Sequence, residues 1–536
     1  MKLSYKFLLT VLLIGVLSSC NEDFFDINSS PNTAVEGNIT ADLVLPQAML
    51  NTATRFSNTS FRTLNFWLGY WCPGGDFAPG TEEESYNISS NFNAGLFSGI
   101  MDNLNDYNFA EGKAAETGTD FYLAIAKTMK AHGFTALVDI YNNVPYTEAL
   151  KGLEFVRPKY DDGKFVYEES MKELDNAMAL FQKLKAAGTI APATNSVDVM
   201  FGGNVDLWMK FVNTLKLRLL IHQSARADRQ SYITAEIAKI VSQGSGFLGS
   251  GQDAAVNPGF TADKPNAFYA NFAFTLVGTQ ATTFYRANKF AMDELKGDRD
   301  PRLGYFYKPI VSPLPAGAAV PFPTIAPIEY RGNEYGRAID NTTYKHQGGN
   351  FVSQIGGSSE AGPVTASSFG LAKGYNMTAW ILTSVESMFL QAEAIQRGWL
   401  AGDKEAAYKA AVKESFRWLN VGKSQSAADA AFDTWYAQED ELNNVNVSYT
   451  DATDKLKVVL FQKYMALNGT LPLETWTDYR RNGAYPAVPL SINTSRTSPV
   501  IPVRFLYPQR EYDLNEENVV ANGTISQFTS KIWWMN

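Results

Sequence analysis

Residues 121–141, FYLAIAKTMKAHGFTALVDIY, carry the sequence pattern that decides the fold. Apolar side chains recur there at helical spacing and form one face: Leu123, Ala126, Met129, Phe134 and Leu137. Two further amphipathic stretches follow, at residues 165–188 and 204–223. Because turn residues separate these stretches, the chain from about residue 100 to 245 is predicted to form antiparallel helical hairpins.

The same periodicity recurs on both sides of this region and predicts a mainly α protein. Further helices are expected at residues 41–56, 282–295, 378–399, 405–420 and 458–468. Thr40 is the expected N-cap of the first of them, and Pro46 falls within its first two turns, where proline is tolerated. The spacing of the hairpins loosely resembles tetratricopeptide pairs without their clean consensus. We therefore predict a scaffold of tetratricopeptide-like helical hairpins.

The remaining sequence is irregular and rich in Gly, Pro, Tyr and Asn. Between residues 65 and 98, several Trp and Tyr residues are interrupted by Gly and Pro, as in a long loop, and long loops are usually functional. Residues 246–376 and 471–536 have few periodic runs and are predicted to form a large irregular half that binds the ligand. A single interlocked domain is expected over residues 41–536, with its helical scaffold at about 41–245 and 377–470.

Residues 1–19 are interpreted as a secretory signal. Two lysines precede an apolar run, residues 7–17, that is too short to span a bilayer. The sequence Leu17-Ser18-Ser19-Cys20 resembles a bacterial lipobox, so Cys20 is expected to carry lipid and to begin the mature protein. Residues 20–40 are polar and are predicted to tether the body to the membrane. The alternative is an ordinary leader with a chance cysteine.

Composition excludes several classes of protein. A chain of 536 residues, of which 45% are hydrophobic, can bury a large core. The formal net charge is −9 and the sequence has no basic cluster, so a nucleic-acid partner is not expected. Besides Cys20 the sequence contains one cysteine, Cys72, which rules out an intramolecular disulfide framework. Stability must therefore come from packing.

The motifs that could carry catalysis are weak, and neither a metal nor a cofactor is predicted. Residues 244–249, GSGFLG, match a dinucleotide fingerprint as a string, but they follow a predicted helix instead of a strand. The three histidines are widely separated, which argues against a His-based metal site. Carboxylate pairs such as Asp139 with Glu148, or Glu474 with Asp478, could serve as acid and base in a glycosidase. Helix caps or salt bridges are the alternative role for these carboxylates.

Aromatic side chains in the irregular segments are the predicted ligand-binding residues. Most Phe, Tyr and Trp residues must lie in the core, but those in Gly/Pro/Asn-rich loops can stack on sugar rings or peptide side chains. Two such loops are expected to converge into one concave platform, on which the aromatic candidates stack on the ligand and the Asn and Asp candidates orient it. The candidates are Trp71, Tyr86, Tyr335, Tyr344, Asn333 and Asp340.

Several stretches together resemble the SusD/RagB family of nutrient-binding outer-membrane lipoproteins. These stretches are distributed over essentially the whole mature chain, and their order and spacing together carry the resemblance. They are DIN at residues 26–28, ADLVLP at 41–46, NVPYTEA at 143–149, DPRL at 300–303, AEA at 392–394, WTDYRR at 476–481, IPVR at 501–504 and WW at 533–534.

This resemblance implies a helical scaffold that lies as a hinged lid on a SusC-like TonB-dependent transporter. Such proteins capture oligosaccharides, or sometimes peptides, and pass them to the barrel; they are not enzymes. The resemblance also implies attachment to the outer membrane, at the cell surface, through the lipid on Cys20. Two other functions stay open at this point: a surface glycoside hydrolase, and a helical-repeat adaptor that binds only protein.

Overall fold

The computed structural model describes residues 38–56, 61–78, 80–188, 197–318, 322–337 and 346–536. The proposed signal at residues 1–19, the lipidation site Cys20 and most of the tether lie outside these ranges and stay predictions. The candidate ligand-binding residues Asp340 and Tyr344 lie outside them as well.

The described chain is mainly α-helical, as the periodicity predicted. Its α-helices are α1 (Ala41–Phe56), α2 (Arg62–Trp67), α3 (Thr81–Ser85), α4 (Gly95–Thr117), α5 (Asp120–Tyr141), α6 (Gly163–Ala187), α7 (Val205–His222), α8 (Gln230–Gln243), α9 (Ala267–Phe272), α10 (Lys289–Gly297), α11 (Leu303–Phe306), α12 (Ser384–Gln396), α13 (Lys404–Trp418), α14 (Gln425–Glu441), α15 (Lys455–Ala466), α16 (Pro472–Arg481), α17 (Gln509–Leu514) and α18 (Glu516–Val520).

The described chain has short two-stranded antiparallel sheets. The pairs are β1 (Trp71–Pro73) with β5 (Tyr285–Ala287), β2 (Val144–Pro145) with β3 (Tyr160–Asp161), and β4 (Ala254–Val256) with β6 (Ala379–Leu382). Those formed by β1 with β5 and by β4 with β6 join segments that are distant in sequence.

Helices α4, α5 and α6 form the consecutive hairpins expected from the sequence. Helix α4 ends at Gly118, whose φ of 67° lies in the left-handed region that glycine adopts without strain. The side chain of Asp162 caps α6, because it accepts hydrogen bonds from the backbone N–H groups of Lys164 and Phe165. Helix α5 packs against α4 and α6 and also contacts α1, α7 and β2, which explains why its second half is buried on every side.

Helices α12 to α15 complete the scaffold. Helix α12 packs against α13, its neighbour in the chain, and against α7 from the first group of helices. Buried ion pairs also connect α12 to its neighbours: Glu386 pairs with Arg218 of α7, and Glu393 pairs with Arg481 of α16. Charged contacts as well as apolar packing therefore join the two parts of the scaffold.

Two predicted helices are shorter than expected, because part of each stretch forms a strand. The helix expected at residues 282–295 begins only at Lys289, where Asn288 accepts a hydrogen bond from the N–H of Phe290 and acts as N-cap. The helix expected at residues 378–399 begins only at Ser384. In both stretches the preceding aromatic and aliphatic residues pair with a distant strand, β1 or β4, and such side chains favour extended backbone.

Periodicity did not predict five helices in the described part of the irregular half, of which α16 is the longest; the others are α9, α11, α17 and α18. Residues 472–481, which were assigned to irregular structure, form α16. Pro472 lies in its first turn, where a missing N–H removes no helical hydrogen bond. Helix α16 is buried along nearly its whole length and packs against α2 and α7, so it belongs to the core of the protein.

One hydrophobic core runs through the scaffold and the irregular half. Tryptophans from both parts are almost completely buried in it, including Trp208 of α7, Trp380 of β6 and Trp476 of α16. This shared core is consistent with a single interlocked domain. Of the helices in the described part of the chain, none is both long and apolar enough to cross a membrane.

Candidate functional site

Four segments meet at one place, which we call the loop junction: residues 71–77, 284–289, 331–335 and 346–353. Strand β1 pairs with β5 so that Trp71 lies opposite Ala287. The N–H of Asn333 donates to the carbonyl oxygen of Ala287 at 3.0 Å, and the N–H of Gly75 donates to that of Gln347 at 2.7 Å. The two aromatic loops of the sequence therefore converge.

The predicted stacking residues are buried and do not lie on the surface of the loop junction. Trp71, Tyr86 and Tyr335 expose 1%, 0% and 5% of their surface. The ring of Trp71 packs edge-on against Phe272, with 5.0 Å between the centroids. The expected solvent-facing platform of these three rings is therefore not found in this arrangement, and their contact with a ligand stays a prediction.

The polar ends of the two tyrosines are also occupied. The hydroxyl of Tyr335 donates to the backbone carbonyl of Glu83 at 2.9 Å, and the hydroxyl of Tyr86 accepts a hydrogen bond from the N–H of Ser491 at 2.8 Å. Both bonds connect segments that are distant in sequence. The rings fill space between packed loops, which is the structural reason that they do not face solvent.

Asn333 is buried and holds the loop junction together. Its Nδ2 donates to the carbonyl oxygen of Gln347 at 2.8 Å and to that of Pro73 at 3.3 Å. Its own carbonyl accepts a hydrogen bond from the N–H of Lys289 at 2.8 Å. Asn333 therefore positions three other segments, and the orienting role assigned to it from sequence stays a prediction.

The accessible side of the junction is formed by four side chains that the sequence analysis did not single out. We call them the aromatic rim: Arg62, Asp76, Phe77 and Phe284. The half-buried rings of Phe77 and Phe284 meet edge to face, with 5.0 Å between their centroids. The guanidinium carbon of Arg62 lies 5.9 Å from the centroid of Phe284, and its Nη1 donates to the hydroxyl of Tyr285 at 3.1 Å.

This combination of side chains can bind a sugar. The rings offer apolar surface, the guanidinium of Arg62 offers donors, and the exposed carboxylate of Asp76 offers acceptors. Phe77 lies in the stretch PGGDFAPG, so its Gly/Pro surroundings were the signal that could have identified it. Phe284 gave no such signal, since it fell within the helix predicted at residues 282–295.

Buried polar atoms without hydrogen-bond partners among the described residues concentrate in the loop junction. They are Trp71 Nε1, Arg286 Nη2, Asn333 Oδ1, the Nε and Nη2 of Arg331 and both polar side-chain atoms of Gln347. Leaving such a group unsatisfied costs about 1–3 kcal/mol. Because unsatisfied groups of this kind call for a functional or solvent explanation, their concentration here supports the loop junction as the candidate site.

Burial also changes the titration of charged groups near the rim. It lowers the pKa of the Arg286 guanidinium to about 10, although the Asp76 carboxylate acts in the opposite direction. On α3, burial raises the pKa of Glu84 to about 7, against the effect of the hydrogen bond from Asn493. Near the rim, burial therefore disfavours the charged forms of both a guanidinium and a carboxyl group.

The carboxylates considered for acid and base chemistry belong to structural networks. Lys463 lies 2.9 Å from an oxygen of Glu474 and 2.8 Å from an oxygen of Asp478. A carboxylate oxygen of Asp139 accepts a hydrogen bond from Trp534 Nε1 at 2.9 Å. These contacts favour the salt-bridge alternative stated above.

Neither a metal cluster nor a reactive thiol is evident in the described part of the chain. No group of three or more His, Cys, Asp and Glu residues there could hold a metal ion. Cys72 is 1% exposed, and burial raises the pKa of its thiol well above the usual value. The thiol is therefore unreactive, as expected for a small core residue.

Comparison with known proteins gives a consistent result. Residues 31–508 match the model of a SusD-like family described as starch-binding and associating with the outer membrane. A SusD homologue from Bacteroides fragilis is 21% identical with a TM-score of 0.71, covering 93% of this chain and 100% of that one. A chitin-binding SusD homologue from Flavobacterium johnsoniae is 22% identical with a TM-score of 0.71, covering 92% and 99%.

A SusD/RagB family protein from Bacteroides thetaiotaomicron is 19% identical with a TM-score of 0.67, covering 93% of this chain and 99% of that one. No curated protein matches the sequence. At these identities the solved structures establish a common fold.

Proposed function

The chain belongs to the SusD-like family, and on that premise we propose that it is a cell-surface lipoprotein that captures oligosaccharides for import. The family is described as starch-binding and associated with the outer membrane, which is a description of binding proteins, not of enzymes. A solved relative is described as chitin-binding. Oligosaccharides are therefore the first ligand class to test, and peptides the second.

The aromatic rim is the observation that carries this proposal. It brings two half-buried phenylalanine rings, a guanidinium and a carboxylate together at the meeting point of four segments. Stacking of a sugar ring on Phe77 or Phe284 would bury apolar surface, while Arg62 and Asp76 bond the hydroxyls. The buried Trp71, Asn333 and Tyr335 hold the segments that carry the rim.

Delivery to a SusC-like TonB-dependent transporter is the second part of the proposal. It is supported by family membership and by the predicted lipid anchor, which would hold the protein at the same membrane as the barrel. A lid of this kind needs a broad contact, at or above the roughly 2,000 Å² typical of permanent assemblies.

Removing a ring from the rim is expected to weaken oligosaccharide binding about thirtyfold, corresponding to the roughly 2 kcal/mol or more of a binding hot spot. Phe77→Ala and Phe284→Ala variants would be titrated with maltoheptaose and chitohexaose by isothermal calorimetry. The ligand that the wild-type protein binds more tightly identifies the glycan class.

The matched control is Phe369→Ala. Phe369 is also half-buried, meets Tyr305 edge to face at 5.4 Å and lies 5.1 Å from the amine of Lys423, but it is not part of the loop junction. This variant should bind as the wild type does. Equal affinity in the two rim variants and the control would exclude the aromatic rim as the oligosaccharide site.

The lipid anchor has its own test. A Cys20→Ala variant is expected to lose incorporation of labelled palmitate and to leave the outer-membrane fraction, because two or three acyl chains hold a protein firmly on a bilayer. The control is Cys72→Ala, which removes the other cysteine of the chain and should keep both the label and the location. A wild-type protein without label, or a Cys20→Ala variant that keeps it, would show that Cys20 does not carry the lipid.

A further inference from the structure

A cavity of about 280 Å³ opens on the helical scaffold, in residues separate from the loop junction. Helices α4, α5 and α6 form its walls, together with the segment 146–151 that follows β2. Its volume is just below the roughly 300–1,000 Å³ of typical ligand pockets. The cavity therefore has room for one small ring-shaped molecule but not for a long oligomeric ligand.

One wall of this pocket is aromatic. Phe134 and Tyr146 line it and meet edge to face, with 4.7 Å between their centroids. Tyr146 is half-buried, and burial together with the nearby carboxylates of Glu173 and Glu169 raises its pKa. Its hydroxyl has no hydrogen-bond partner among the described residues, so it is a neutral group that can still donate and accept a hydrogen bond.

Other residues that line or adjoin the pocket form a polar network. The amine of Lys130 lies 2.9 Å from Asn108 Oδ1 and 2.7 Å from Glu111 Oε2. Lys127 does not line the cavity, but its amine bridges two carboxylates that do, Glu111 Oε1 at 2.7 Å and Glu173 Oε2 at 2.8 Å. The ammonium of Lys130, which lines the cavity, has three N–H donors and uses two of them here, so one further hydrogen bond to a ligand is available.

The side chains that line the pocket determine which class of ligand can bind. The side chains of Glu111, Lys127, Lys130 and Glu173 are already paired and remain only 18–32% exposed. Because each of these charges already has a partner of opposite sign, the pocket offers no uncompensated charge to an anion or a cation. An apolar molecule would leave the free N–H donor of Lys130 unsatisfied, which is unfavourable. A neutral molecule with several hydroxyls satisfies donors and acceptors at once.

The pocket is also held in shape without a ligand. Both the Tyr146 and Thr147 N–H groups donate to Asp161 Oδ2, at 3.0 and 2.7 Å. Asn108 Nδ2 donates to the carbonyl oxygen of Leu150 at 3.1 Å and ties the segment to α4. Because these contacts fix the segment, little conformational freedom would be lost on binding.

We propose that this pocket is a second carbohydrate site, which takes one neutral pyranose ring with its apolar face on Tyr146 and its hydroxyls on Lys130 and Glu173. The site shares no residue with the aromatic rim. It would allow the protein to hold a single sugar unit independently of the oligosaccharide bound at the loop junction.

The test uses the full folded protein and three probes, glucose, maltose and N-acetylglucosamine, titrated to millimolar concentration by saturation-transfer-difference NMR. Binding of at least one probe is expected. A Lys130→Met variant should bind that probe about tenfold more weakly, since a hydrogen bond to a charged group is lost. The control is Lys113→Met on α4, whose partner is the exposed Glu116, and it should bind normally.

Two further variants keep the two sites distinguishable. Tyr146→Phe keeps the ring but removes the hydroxyl, and it should weaken binding with an unchanged melting temperature. Phe284→Ala alters only the aromatic rim and should leave the signal of the monosaccharide intact. The proposal is overturned if no probe binds, if Lys130→Met and Lys113→Met bind equally well, or if Phe284→Ala alone removes the signal.

Discussion

A Trp71→Ala variant is expected to lose about 3–5 kcal/mol of unfolding free energy, as typical for removal of a fully buried large aromatic ring. The side chain is 1% exposed and packs against Phe272. Gly469 lies directly beneath it, where a Cβ atom would come within 2.7 Å of Trp71 Cζ2. The surrounding backbone is thus built closely around the indole, and its removal leaves a cavity that cannot easily collapse.

The matched comparison is Phe77→Ala, in the same loop but half-buried. Because part of its ring is already in water, this change should cost only about 1 kcal/mol while weakening oligosaccharide binding. Urea unfolding followed by circular dichroism measures both variants. A Trp71→Ala variant with wild-type stability and lost binding would contradict the buried arrangement and would support the stacking role first assigned to Trp71.

The helical scaffold could be predicted from sequence because its signal is local. The apolar face of residues 121–141 repeats within one helix, and the caps that delimit helices, such as Asp162 before α6, lie next to them. The same holds for α1, which spans residues 41–56 as expected. Periodicity and capping need no knowledge of the distant chain.

The loop junction could not be predicted in the same way, because its signal is not local. Trp71 is buried since β1 pairs with β5, a segment more than two hundred residues away in the sequence. Gly and Pro around an aromatic residue indicate a loop, but they do not say whether the ring faces solvent or the core. The convergence of the two loops was predicted because they were treated as parts of one site. The rim residues Phe77 and Phe284 could be identified only from the pairing of β1 with β5.

The buried ion pairs of the scaffold could not be predicted from local sequence patterns either. The stretches AEA at residues 392–394 and WTDYRR at 476–481 contributed to the family resemblance without a stated role. In the structure, Glu393 and Arg481 from these stretches form a bidentate pair, with both N–O distances 2.7 Å and both side chains fully buried. Their role is to join α12 to α16.

An Arg481→Met variant is therefore expected to lose about 3–5 kcal/mol of unfolding free energy, because it leaves Glu393 and Asp478 buried with fewer partners. Arg417→Met is the control. Arg417 makes the same two-point contact with Asp429, but these side chains are 31% and 34% exposed, and an exposed pair contributes about 0–1 kcal/mol.

The pH dependence of the Arg481→Met deficit gives a more specific test of this pair. Burial alone would raise the pKa of Glu393, but Arg481 and Arg397 lower it from 4.5 to about 2. Since the folded pKa is the lower one, the wild-type protein has this stabilisation in full above pH 4.5 and loses it as the pH falls toward 2. The unfolding free energy that Arg481→Met loses relative to the wild type should therefore be largest near neutrality and become smaller in acid. Urea unfolding of both proteins at several pH values measures this difference. If Arg481→Met costs no more than Arg417→Met near neutrality, the buried pair does not hold α12 and α16 together.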